Sequence, residues 1–152
     1  MATDHEIGRK ELTQALLAKE MGLYFVSIRE AVALHDASIG KFGGTPGARD
    51  VGLLESALHR PIMMAVYQDE RDPFVLAAAL AGAIVRNHPF IDGNKRAAYL
   101  ACLKMLEKNG HDLSPDVAEA AEMFIDLAAR KRSEADLLEW LRQQVPESGP
   151  SP

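Results

Sequence analysis

No polar side chain interrupts the run from Phe74 to Val85. A helix that is apolar on every face has no side to offer to water, so it must lie at the centre of a fold with other elements packed around it. Asp72-Pro73 suits its start, an acceptor at the cap followed by proline at the first helical position, and Arg86 ends the apolar stretch. The run is shorter than the about 20 residues of a membrane span, which makes it a buried core helix. A second segment, from Asn94 to Lys108, is apolar on most faces through Ala98, Cys102 and Met105, and Asn109-Gly110 is expected to close it with a left-handed cap. Two central helices joined by a short loop call for further helices as their cover.

The flanking sequence supplies them, and the expected fold class is mostly α. Ser27-Ile28-Arg29-Glu30 is a capping box opening a helix that runs to about Lys41, where Gly43-Gly44-Thr45-Pro46-Gly47 breaks it. A short helix is expected from about Val51 to His59, ended by Pro61 through its bias on the preceding residue. Ile62 to Asp72, with Met63, Met64, Ala65, Val66 and Tyr67 in extended-friendly order, reads as a β-like ribbon, the alternative being an apolar loop packed on the core. Ser114-Pro115 and Ser133 are expected to open two more helices. Leu12, Leu16 and Leu17 suggest a weak amphipathic helix within residues 1–20, and residues 146–152 read as a flexible tail.

At 152 residues the chain makes one domain. Its net charge of −5 argues against a nucleic-acid surface, which would show a basic excess. The one dense basic run, Arg130-Lys131-Arg132, falls where a helix should end, a place where the helix dipole favours cations. A single cysteine, Cys102, permits no internal disulfide, and no apolar core of a signal peptide occurs in residues 1–20, so a cytoplasmic protein is expected. His5, His35, His59, His88 and His111 lack the paired spacing of a zinc site, and no G-x-x-x-x-G-K-S/T loop is present. His35, on a helix after Leu34, reads as a hydrogen-bonded structural residue.

Chemistry concentrates between the two central helices, at His88-Pro89-Phe90-Ile91-Asp92-Gly93-Asn94-Lys95-Arg96. A loop that opens a helix points free backbone N–H groups outward, and the helix dipole adds partial positive charge, so anions settle there. Gly93 lets the turn adopt angles closed to other residues and lets a phosphate approach the main chain. Lys95 and Arg96 supply full charge, Arg96 as a planar fork. Asp92 is a hard oxygen ligand of the kind Mg²⁺ takes when it bridges phosphates. His88 is the group whose ordinary pKa suits proton abstraction near neutral pH. Phe90, the apolar member of the loop, reads as its anchor to the core.

These residues resemble the motif of the Fic/Doc family, H-x-F-x-D/E-G-N-x-R, at His88, Phe90, Asp92, Gly93, Asn94 and Arg96. Lys95 stands where Fic AMP-transferases carry Gly, and Tyr99 where they carry a second Arg; both are similar to the Doc ("death on curing") toxin branch. Leu34-His35-Asp36, Phe42 to Gly47, Arg49-Asp50 and Gly52 to Leu58 look like further landmarks of that branch. The resemblance implies a helical catalytic domain over residues 21–145, with residues 1–20 an extension outside it. That extension reads equally as a packing addition, a regulatory piece or an upstream start. The ribbon of residues 62–72 would be the flap that holds a target segment by strand pairing.

The resemblance further implies the toxin of a type II toxin–antitoxin system, a kinase-type transferase that phosphorylates a Ser/Thr hydroxyl of a translation factor, elongation factor Tu, from Mg-ATP. His88 would be the base and Asp92 the Mg²⁺ ligand, while Gly93, Asn94, Lys95 and Arg96 would hold the phosphates. AMP transfer and a catalytically inactive interaction module are the alternatives. Self-inhibited Fic proteins carry Ser or Thr, three residues, then Glu and Gly or Asn. Here Ser27 and Glu30 are one residue too close, and Glu20 precedes Met21. Silencing in trans by a Phd-like antitoxin is therefore expected.

Overall fold

The structure, a computed structural model, describes residues 4–146. Seven helices make it up: α1 (Asp4–Met21), α2 (Ile28–Phe42), α3 (Val51–Tyr67), α4 (Pro73–Asn87), α5 (Asn94–Lys108), α6 (Val117–Ala128) and α7 (Glu134–Gln143). The mostly α class holds. Among the described residues the extended pairing is one isolated antiparallel bridge, Ala48 to Phe90. Beyond Pro146 the expected tail lies outside the described residues.

The apolar run is the hub. Every residue of α4 from Leu76 to Ile84 is buried, and the helix packs on α3, α5 and α7. Helix α5 lies along it and is covered on its other sides by α2 and α6. Leu54, Leu76, Leu80, Met105, Leu106, Met123 and Leu137 sit at 0 to 1% exposure in this core, each burial stabilising by about 1.5–3 kcal/mol. The caps follow the local chemistry. Ser27 and Glu30 form the capping box of α2, and the Asp72 carboxylate accepts from Phe74 N–H at 2.9 Å above Pro73. Ser133 and Asp136 form a second capping box on α7.

Three expectations need correction. Helix α3 does not end before Pro61 but runs through it to Tyr67, so residues 62–67 are helical and no ribbon forms there. A proline inside a helix costs about 3 kcal/mol. Leu54, Ala57, Leu58, Pro61, Ile62 and Ala65 form one buried stripe at helical spacing, and burying what lies beyond the proline offsets that cost. The extended segment beside the motif is instead Gly43 to Asp50.

The remaining two, at α6 and α1, are local. Asp116, not Ser114, caps α6, its carboxylate accepting from Glu119 N–H at 3.0 Å. The Asn109-Gly110 cap of α5 forms as expected, with Gly110 in the left-handed region (φ 96°). Asn109 keeps φ −98° and spends its side chain on the Tyr24 backbone, at 2.9 and 3.0 Å. On α1, Leu12 and Leu16 are exposed and only Leu17 of the expected stripe packs on the core.

Candidate functional site

The loop between α4 and α5 is held from three directions. His88 caps α4 in the left-handed region (φ 50°, ψ 54°), a conformation that costs a non-glycine residue about 1–2 kcal/mol. Arg49 compensates. Its Nε donates to His88 C=O at 2.8 Å and its Nη2 to Asn87 C=O at 3.0 Å, so one cation closes the negative end of α4. The backbone joins in: Arg49 N–H and Asp50 N–H both donate to Pro89 C=O, at 2.7 and 3.1 Å, and Ile91 N–H donates to Gly47 C=O at 3.1 Å.

Phe90 is the anchor expected of it, 1% exposed, with its ring stacked on His35 at 3.8 Å between centroids. Asn94 locks the same residue by its backbone. Its side-chain carbonyl accepts from Phe90 N–H at 2.9 Å, and its amide donates to Phe90 C=O at 3.0 Å. The buried Asn94 side chain is thus used inside the loop, and what it can offer a phosphate is its main chain.

Buried His35 donates from Nε2 to Asp92 C=O at 2.7 Å, which requires the tautomer protonated on Nε2. The Asp92 carboxylate then faces outward. Oδ1 accepts from Gly93 N–H at 2.8 Å and Oδ2 from Thr45 N–H at 3.3 Å, and these bonds hold its pKa below the usual carboxylate range. Gly44 makes the second contact possible. At φ 121°, a Cβ there would stand 2.8 Å from Asp92 Oδ2 and 2.9 Å from Ile39 Cδ1.

Helix α5 starts at Gly93 (φ 74°) with no side chain capping it, so its first-turn N–H groups face whatever enters. Arg96 donates to Gly43 C=O at 2.9 Å and lies over the Phe42 ring at 5.8 Å, which fixes its guanidinium beside the opening. Lys95 is exposed and engages no partner among the described residues. All six expected site residues, His88, Asp92, Gly93, Asn94, Lys95 and Arg96, line one cleft of about 450 Å³ walled by Val85 and Ala128. A larger hollow of about 550 Å³ between α1 and α3 is lined by Leu17, Ile28, Leu58 and Ile62, and is remote from this chemistry.

Asp92 is the one carboxylate of the cleft, and no group of three or more His, Cys, Asp or Glu side chains gathers among the described residues. That donor set fits Mg²⁺, which is held by one or two carboxylates together with substrate phosphates, and not zinc. Sequence reasoning missed Arg49, Gly44 and Thr45 as parts of the site and took His35 as structural alone. Their sole signal was membership of the upstream landmarks.

Residues 25–106 match the Fic/DOC family. The chain belongs to that family. It is 34% identical to "Protein kinase doc" of Escherichia phage P1 over 118 residues, 78% of this chain and 93% of that protein. It is 40% identical to "Toxin Doc" of Mycolicibacterium smegmatis over 93 residues, 59% of this chain and 71% of that one. Both relatives are Doc proteins, and this member of the Fic/DOC family stands on the Doc side with them. Among the described residues no helix is long and apolar enough to cross a membrane.

Proposed function

We propose that this Fic/DOC protein is a Doc-type toxin that transfers the γ-phosphoryl group of ATP to a Ser or Thr hydroxyl of a protein. The observation that carries this reading is the convergence of an exposed, conformationally held histidine and an uncapped, cation-bearing helix start in one cleft. His88 takes the proton from the hydroxyl, the oxygen attacks the γ-phosphorus, and ADP leaves. Lys95, Arg96 and the α5 N–H groups stabilise the charge that gathers on the phosphate oxygens. Asp92 would hold Mg²⁺, which supplies further charge neutralisation when bound. Thr45 and Gly93 keep the Asp92 carboxylate ionised, while His35 holds its main-chain carbonyl and so the direction of the side chain.

The name of the phage relative supports phosphoryl over AMP transfer. Lys95 supports it too, because it fills space and places charge where AMP-transferases leave backbone open. Elongation factor Tu is the proposed target, the cytoplasm the proposed compartment, and a Phd-like antitoxin the proposed restraint.

The test is transfer of label to purified elongation factor Tu from γ-labelled and from α-labelled ATP. Label from the γ position alone, falling by about 10²–10⁴-fold in His88→Ala, is the expected result. Label from the α position would establish AMP transfer. Label from neither, with the nucleotide bound, would leave an interaction module.

A further inference from the structure

The basic run Arg130-Lys131-Arg132 follows α6, and the fold uses only one of its three side chains. Arg132 pairs with Asp126 at 3.3 Å. Arg130 and Lys131 are exposed, and neither side chain engages a partner among the described residues. The turn that presents them is closed by two backbone bonds, Arg130 N–H to Leu127 C=O at 3.2 Å and Lys131 N–H to Asp126 C=O at 2.8 Å. Such a closure puts the residue after the cap in the left-handed region, where glycine is the residue of choice. Here Arg130 holds that place at φ 60°. An arginine kept where glycine would relax the backbone points to a use for its side chain.

The surroundings say which use. A hollow of about 440 Å³, bounded by Arg86, Arg130, Lys131 and the start of α7, shares Val85 with the motif cleft. Ala128 walls the cleft and Leu127, one residue earlier, walls the hollow, so the two lie side by side at the end of α6. The two carboxylates in the hollow are already engaged. Glu134 is bonded by Arg60 and lies 3.6 Å from Arg86, and Asp136 accepts from Ser133 N–H at 2.7 Å. In a chain of net charge −5, the free cation Lys95 borders the cleft and the free cations Arg130 and Lys131 border the hollow beside it.

We propose that Arg130 and Lys131 form a second anion subsite, which takes the phosphate groups of the nucleotide remote from the one that reacts at His88. The proposal rests on the nucleotide-transfer reading above. Each hollow, at about 450 and about 440 Å³, falls within the 300–1,000 Å³ typical of small-molecule sites. Guanidinium and ammonium groups at the second hollow would fix the direction in which the phosphate chain lies and so choose the phosphorus presented to the base.

Calorimetric titration of the full chain with ATP, inorganic tripolyphosphate and adenosine tests it. Arg130→Gln/Lys131→Gln is expected to weaken ATP and tripolyphosphate at least tenfold and to leave adenosine within twofold. Arg130→Gly should also weaken both while raising Tm, because it relieves the left-handed strain; a purely structural arginine would lower Tm instead. Wild-type affinity for ATP in the double variant overturns the subsite and leaves the transfer reading standing. Tripolyphosphate binding that depends on the two residues, in a protein that transfers no phosphate, upholds the subsite and removes the transfer reading. Unchanged ATP affinity with a raised KM for the protein target would give the surface to an acidic protein segment and overturn the proposal.

Discussion

Replacing Arg49 by Ala should disable the site while leaving every residue of the motif in place. Arg49 makes two charge-assisted bonds, at 2.8 and 3.0 Å, to the last carbonyls of α4. Bonds of that kind contribute about 1.5–3 kcal/mol when sheltered. Arg49 is exposed and water can replace it, so about 1–2 kcal/mol of stability should be lost. That is close to the about 1–2 kcal/mol of left-handed strain at His88. With the clamp gone, the strain is unopposed and a relaxed backbone at His88 is favoured by about 1–2 kcal/mol, or about 5–30-fold, so the base is misplaced most of the time. Misplacement by about 1 Å can cost 10²-fold, so kcat should fall by about 10–10²-fold with the KM for ATP little changed. Arg49→Lys keeps the charge but loses the fork and should fall between. Urea unfolding and steady-state transfer measure the two quantities separately. An Arg49→Ala protein that loses stability yet transfers at the wild-type kcat would refute the argument that this clamp sets the base.

Gly44→Ala should cost about 1–3 kcal/mol and raise the Mg²⁺ concentration needed for activity, because the new Cβ meets Asp92 Oδ2 and Ile39 Cδ1 in a backbone conformation closed to alanine; thermal melts and a Mg²⁺ titration check it. The Asp92 carboxyl, followed by NMR, should titrate below the ordinary value of about 3.9. Its folded pKa is depressed, so the stability linked to it is present above that ordinary value and is lost as pH falls through the folded one. A midpoint at or above about 3.9 would contradict the Gly93 and Thr45 hydrogen bonds as its cause. Cys102 is fully buried with its thiol pushed up to about 12, so iodoacetamide should label it only as fast as the chain unfolds; rapid labelling of the native protein would count against the packing of α5.

Much was legible in the sequence because it depended on neighbours along the chain. The apolar run of α4, the capping boxes at Ser27 and Ser133, the proline start at Pro73 and the glycine turn at Gly93 each declare themselves within a few residues. The six motif residues of the cleft come together for the same reason, lying within nine positions of one loop. Tertiary structure alone decided the rest. Pro61 counts as a breaker by local rules, which charge for the missing N–H and do not see that Ile62 and Ala65 find the core beyond it. Arg49 meets His88 across 39 residues, Thr45 meets Asp92 across 47, and His35 meets Asp92 across 57. No periodicity or spacing encodes those pairs. They exist because α2 and α3 pack on the central helices and carry the segment between them onto the motif, and that packing is driven by buried area from the whole chain.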